Sequence, residues 1–471
     1  MGKDIELESS KRKNKGNSAG SEKPIKVEVV EVVSAPPEEN LKPVTFSTLD
    51  FHNARKILLI PFWLTIAVCL LAILMTMFYF VPLWDPISRL NNLKVKVVVQ
   101  DTGYSAGPLS VNIGQQFADS MKTTDLTKDL FDWDVITGEE AWNYTLDDLY
   151  DDVVNEEVWV GLIFPKYYTQ TMLGVYTGLI QTPVYNNPVQ FVMDEAKQFT
   201  TALVTDTSFN TIFTSFDLKV RQTLGSYAAV APASPTAPEA VLMTPVYRNI
   251  TNAHPIANMG EYFSHYISLV VLWVSMIITI SLARVTYREV MTDTFKMHVT
   301  VAFTARFITA VVSSFLASLF VTVFLSGMDL RMEHGFGHLF AVFWFAALTF
   351  SGMIEAVYSY LNIFGFLVLL LLMVLQLVTS DGIYSYRTMV KGFRWVTPVF
   401  PFSHAVKLIR FSAFNACKDQ LGLHIGVIFI WMIGAWVLAF LGNFFHIGRK
   451  LAYKAFPTSV KGFVHLIEFL G

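Results

Sequence analysis

The sequence predicts a polytopic α-helical membrane protein with six transmembrane helices and an α/β extracytoplasmic domain between the first and second. Three observations point there. Hydrophobic residues make up 53% of the 471 and charged residues only 15%, against about a quarter charged in soluble domains. Six apolar runs approach the ~20 residues that cross a bilayer. Lysine and arginine gather on the flanks that such a path leaves in the cytosol.

The elements follow in chain order. Residues 1–45, with "KRKNKG" and "SAPPEEN", are polar and charge-rich and read as a disordered cytosolic tail, because they bury too little apolar surface to offset ordering entropy. Residues 1–20 contain no apolar signal-peptide core, so the first apolar run is expected to act as a signal anchor. Residues 46–82 give an interfacial helix, "TFSTLDFHNARK", and a first span, Ile57–Val81, with Pro61 harmless in its first turn. Residues 83–261 form the outer domain. "KVKVVVQD" and "EVWVGLIFP" read as strands. "GQQFADSMKTTDLTKDLFDW" between them has helical spacing, and "VQFVMDEAKQFTTALVTDTSFNTIFTSF" reads as one long amphipathic helix. Strand, helices and strand in that order suggest a small sheet in an α/β arrangement. Residues 262–443 then hold five spans: Tyr262–Ala283, Val299–Leu325, Leu339–Val357, Leu361–Val378 and Ile425–Leu441. Residues 379–424 link the last two, and 444–471 form a cytosolic C-terminal segment.

Sidedness rests on charge. Arg55 and Lys56 precede the first span, "HIGRKLAYK" follows the last, and the loop after the second carries Arg284, Arg288 and Lys296. Both termini are therefore expected in the cytosol and residues 83–261 outside. Two N-glycosylation sequons, at Asn143 and Asn249, fall in that outer domain. The domain is also acidic, most densely in "DDLYDDVVNEE", which is expected to be a solvated helix face.

Catalytic patterns are missing from the sequence. There is no phosphate-binding G-x-x-x-x-G-K-[ST], no H-E-x-x-H and no G-x-S-x-G, so no enzymatic activity, cofactor or nucleic-acid partner is expected. "MEHGFGH" sets His334 and His338 four apart beside Glu333, but the glycines between them weaken a helix, and a solvated loop is expected rather than a metal site. The two cysteines, Cys69 and Cys417, lie in distant layers, which excludes a disulfide framework. Intramembrane charge is more informative. Arg306 lies two turns into the third span and Glu355 near the cytosolic end of the fourth. Alone, either costs at least ~2.5 kcal/mol in hydrocarbon; they either pair or snorkel to the headgroups.

The link contains "RWVTPVFPFSHAVKLIRFSAFN". Pro398 and Pro401 break helix, the aromatics suit the headgroup level, and Lys407 and Arg410, three apart on one face, can reach phosphates. Arg387, Lys391 and Arg394 depart from the positive-inside rule.

"VVVQDTGYSAGPLSVNIGQQF", "EEVWVGLIFPKYYTQTML" and "GFRWVTPVFPFSHAVKLIR" resemble the fungal nitrosoguanidine-resistance family. The wider layout resembles ABC-2 type permease subunits, nearest the phage-infection-protein-like branch. The resemblance covers roughly residues 50–450. It implies that the link is re-entrant in the outer leaflet, with Trp395, Phe400, Phe402, Lys407 and Arg410 receiving substrate. It also implies a coupling loop, with Arg288, Glu289 and Asp293 exposed to a separate ATPase subunit unless no ATP coupling exists. A homodimer is implied, as such permeases work in halves. The implied function is a plasma-membrane permease-like protein that moves a lipophilic compound or membrane lipid and gives resistance to toxic compounds such as nitrosoguanidine. A non-transporting scaffold or regulator of lipid asymmetry or stress response is the alternative.

Overall fold

The computed structural model describes residues 66, 69–70, 72–83, 85–106, 109–125, 127–177, 187–228, 245–257, 259–293 and 299–455. Residues 106, 109, 226–228, 259, 286–293, 299–300, 302, 363 and 444–455 are described in backbone only. The predicted tail, the interfacial helix and most of the first span lie outside the described residues; helix α1 (Ala72–Leu83) is the end of that span.

The outer domain is an α/β lobe. Its strands are β1 (Lys94–Val99), β2 (Tyr104–Ala106), β3 (Leu109–Val111), β4 (Asp132–Thr137), β5 (Val160–Phe164), β6 (Val189–Met193) and β7 (Arg248–Asn252). Its helices are α2 (Ile113–Thr123), α3 (Glu139–Trp142), α4 (Leu146–Val154), α5 (Tyr168–Tyr176) and α6 (Phe199–Ala228). Five strands form one sheet in the order β4-β1-β5-β6-β7. β1 runs parallel to both neighbours, with Val97 opposite Val135 and Leu162, whereas β5 and β6 are antiparallel. The β-branched run KVKVVV suits this central place, since every residue of it after Lys94 is buried.

Helices cover both faces of the sheet. Phe117, Phe164, Phe191, Phe209 and Phe213 fill the layer beneath α2, α5 and α6. On the opposite face Val98, Ile163 and Val192 meet Leu149 and Val153 of α4. The "DTG" turn after β1 is a pin. The buried Asp101 carboxylate accepts from the backbone N–H of Gly103 (3.1 Å), Gly114 (3.3 Å) and Thr169 (3.1 Å). Gly103 has φ +68°, and a Cβ there would lie 2.7 Å from the Val111 carbonyl oxygen, so glycine is required.

One expectation for the lobe needs correction. "VQFVM" is not the start of a helix: it is β6, paired on both sides, and the helix begins only at Phe199. The sequon-bearing segment Arg248–Asn252 is an additional strand, with Ile250 opposite Phe191. Short apolar runs are ambiguous by period alone, and pairing decides them.

The rest of the described chain is helical: α7 (Met259–Asp293), α8 (Val299–Gly327), α9 (Gly335–Leu361), α10 (Gly365–Val378), α11 (Val396–Val399), α12 (Pro401–Phe414) and α13 (Leu421–Ala455). Four stretches are long and apolar enough to cross a membrane: Gly260–Val285, Phe303–Gly327, Gly335–Leu361 and Leu421–Asn443. They mark the chain as an integral membrane protein. Six spans were expected. α10, at 14 residues, is only about 21 Å long at 1.5 Å per residue, short of a ~30 Å hydrocarbon core. It leaves α9 through a turn at Asn362 with φ 50°, so the two are separate helices.

Side-chain contacts give the helix directions. Trp273 meets Phe350 and Ser281 bonds Tyr358, so α7 and α9 run the same way. Phe315 meets Trp344 and Arg306 meets Glu355, so α8 runs against them. Thr349 bonds the Ile428 carbonyl and Tyr360 that of Leu438, so α13 runs with α9.

Candidate functional site

The link 379–424 does not lie flat across the helix ends. Phe402, at the start of α12, stacks on Phe350 halfway along α9, with ring centroids 5.8 Å apart. Trp431, two to three turns into α13, donates its indole N–H to the Val399 carbonyl at 2.7 Å. The other end of α12 returns to where α9 begins: the Glu333 and His334 amides bond the Ala413 and Ser412 carbonyls, and His338 bonds the Ser412 hydroxyl at 2.6 Å. α12 is therefore a half-length helix that starts deep in the bundle and climbs out. Phe400 is extended, with ψ 147°, and Pro401 opens the new helix, which is where a proline is tolerated. "MEHGFGH", expected as a solvated loop, instead clips α12 to the head of α9. Among the described residues no group of three metal-binding side chains occurs.

The five residues expected on the substrate path are placed very differently. Trp395 is 61% exposed. Phe400 stacks on Trp431, and Phe402 is enclosed in the bundle core. Lys407 and Arg410, expected to be free for phosphates, are both engaged by protein carboxylates. Lys407 Nζ lies 3.3 Å from Glu156 Oε2. Arg410, with no exposed surface, donates to the Asp381 carbonyl at 2.6 Å and to His265 Nε2 at 3.3 Å, and its Nη1 lies 3.5 Å from the Asp381 carboxylate. The physical reason is enclosure. α12 packs against α7, α9 and α13 at once, so every face but a sliver meets protein.

Glu156 belongs to the lobe, so Lys407 ties α12 to it. More bonds follow the same seam. Arg387 donates to the Glu156 carbonyl at 3.2 Å, and Ser385 N–H to Thr201 Oγ1 at 3.0 Å. The Gly382 carbonyl receives both the Tyr262 hydroxyl (2.6 Å) and the Gln198 amide (3.4 Å). The acidic run "DDLYDDVVNEE" is thus only partly a solvated face: Asp152 holds Lys96 and Glu156 holds Lys407. Burial alone would raise the Glu156 carboxyl, but Lys407 and Lys197 outweigh it and hold the group down at about 2, against an ordinary 4.5. A carboxylate depressed by folding adds stability that is complete above 4.5 and lost as pH falls toward 2. Amides of residues 379–394 are expected to gain exchange across that window in the wild type, and far less in Glu156→Gln. Hydrogen exchange followed by mass spectrometry at pH 5, 4 and 3 measures the difference.

A second charged centre lies at the opposite end of the bundle. Glu355 is fully buried. Arg284 grips it with Nε and Nη2, each at 2.9 Å, and also reaches Ser359 Oγ at 2.7 Å. Arg306 Nε lies 3.3 Å from the same carboxylate, and its Nη2 donates to Asn443 Oδ1 at 2.6 Å. Asn443 in turn donates to Ser359 Oγ at 3.1 Å. Of the two expectations for Arg306 and Glu355, pairing is the one realised. Arg284, read from sequence as loop charge, is the stronger partner. Arg288, Glu289 and Asp293 lie at the end of α7, where side chains are outside the described residues.

Asp381 and Glu156 had no place in the sequence-based site. Arg410 in the apolar "AVKLIRF" and Asp381 at the end of an apolar run were a signal, since buried charges are found paired. No curated protein and no solved structure matches the chain. A family model described as protein of unknown function (DUF3533) matches residues 64–437, spanning the lobe, the half-length helix and most of the four apolar helices. The chain belongs to the DUF3533 family.

Proposed function

We propose that the protein is a plasma-membrane permease-like protein that moves a lipophilic compound or lipid. In this reading the chain crosses six times, with α1 and α10 as the ends of tilted or thinned spans, both termini are cytosolic and the lobe is outside. The observation that carries it is α12. A half-length helix with a broken entry at Phe400–Pro401 is tolerated at depth only where protein or a wet cavity surrounds it, and such discontinuities mark substrate sites in many transporters. The exposure of Asn143 and Asn249 on the lobe supports glycosylation outside. Resemblance to the nitrosoguanidine-resistance family supports export of a toxic compound as the benefit, and resemblance to ABC-2 permeases supports a homodimer. It also supports energy from a separate ATPase docked near Arg288, Glu289 and Asp293, unless transport is uncoupled.

One observation favours the second reading, a non-transporting scaffold or regulator of lipid asymmetry or stress response. Lys407, Arg410 and Phe402 are committed to protein contacts, which leaves Trp395 and Phe400 as the accessible part of the path. Purified protein in vesicles, assayed with a fluorescent phospholipid and with nitrosoguanidine, separates the two. Permeation is expected in the wild type and severalfold slower in Trp395→Ala. No movement above empty vesicles, with or without ATP and co-purified partners, overturns the permease reading.

A further inference from the structure

α8, α9 and α13 leave an open groove of about 430 Å³, within the usual ~300–1,000 Å³ range of ligand pockets. Phe303, Phe307, Leu348, Ile433, Trp436 and Phe440 are among the residues that line it, with Phe303 edge-on to Phe440 and Phe307 edge-on to Trp436 at centroid distances of 5.3 and 4.8 Å. Every residue lining it is apolar. Its end is polar. α8 and α13 run in opposite directions, so Arg306 stands between Phe303 and Phe307 on α8, but its Nη2 reaches Asn443, one turn past Phe440 on α13. Behind them stand two arginines on a single glutamate, a cluster with one positive charge in excess among the described residues. The Arg306 and Arg284 side chains keep 14% and 19% exposure while Glu355 keeps none, so what solvent or lipid meets is cationic.

We propose that this groove holds an acyl chain of an anionic phospholipid whose phosphate docks on the Arg306–Asn443 edge. The guanidinium fork matches phosphate oxygens, and basic pockets between membrane helices are known to take anionic headgroups. Arg306 lies seven residues into α8, about 10 Å along the axis, and its guanidinium, held between Glu355 and Asn443, stays partly exposed. A second copy of the chain fits less well. The described stretches of α8 and of α13 up to Asn443 carry no carboxylate, so such a partner brings nothing to neutralise the excess charge. The inference does not rest on transport; it requires only that the bundle sits in a bilayer.

The test uses the full-length chain, delipidated in neutral detergent and offered phosphatidylserine or phosphatidylcholine at equal concentration, with bound lipid read by native mass spectrometry. One phosphatidylserine per chain is expected, preferred about tenfold: both lipids bring a phosphate, but only phosphatidylcholine carries a quaternary ammonium that the excess positive charge repels and is neutral overall. Arg306→Gln keeps the Arg284–Glu355 pair and is expected to bring the two lipids to parity. Val437 lines the groove and is 51% exposed; Val437→Trp fills the space without touching the charges and is expected to lower retention of both lipids. Equal retention by the wild type, or an unchanged preference in Arg306→Gln, overturns the proposal. So does a lipid-free dimer that Val437→Trp splits, since the occupant is then a second copy. Should Arg306→Gln not fold, the wild-type preference and Val437→Trp decide.

Discussion

Glu355→Leu is expected to be the most damaging single substitution in the bundle. It strands two guanidinium groups that now share one carboxylate, and breaking a buried pair from one side costs about 3–5 kcal/mol. Arg306→Leu is expected to be mild by comparison, about 1–2 kcal/mol, because Arg284 keeps both of its bonds to the carboxylate. Arg284→Leu falls between them. Replacing all three by leucine or methionine is expected to recover most of the loss, since an apolar core of similar volume often matches a buried ion cluster. Thermal unfolding in detergent, followed by size-exclusion chromatography, ranks the four proteins. Equal losses for Arg306→Leu and Glu355→Leu would mean that the cluster does not act as a carboxylate shared between two cations.

Arg410→Met should have an effect of similar size at the other end. Among the described residues it leaves the enclosed Asp381 carboxylate with the Tyr386 amide as its hydrogen-bond donor, and it removes the hydrogen bond to His265, whose Nδ1 has no partner among them. About 3–5 kcal/mol is expected. Adding Asp381→Asn removes the stranded charge and is expected to restore a good part of it. Melting temperatures of the single and double variants check this, and a double variant no more stable than Arg410→Met would show that the loss comes from packing alone.

Much of the architecture is readable from the chain because membranes and sheets impose strong patterns. The unbroken β-branched run of β1 and the Pro165 stop after β5 are legible, as are the four long apolar stretches. Arg306 and Glu355 stand out because a lone charge in hydrocarbon must find a partner. Arg284 does not stand out: at a helix end, the ordinary bias of basic flanks accounts for it, and only three-dimensional packing turns it inward. β6 is not legible because four apolar residues and one glutamine carry no decisive period. The largest gap is α12. Spacing shows that Lys407 and Arg410 share a face, but not that this face is roofed by the lobe and by α7, so residues that read as ligands for phosphate are internal ties. Trp395 alone among the five is as open as the sequence suggests.

The double grip on the Gly382 carbonyl, with the Lys407–Glu156 tie beyond it, has a mechanical consequence. A push on the lobe, whatever delivers it, cannot be absorbed by a slack hinge at that seam. It is handed to a stiff rod of 14 residues, about 21 Å long, whose far tip rests against Phe350. A load on the lobe is therefore expected to reach the centre of the bundle through the Lys407–Glu156 tie and that rod.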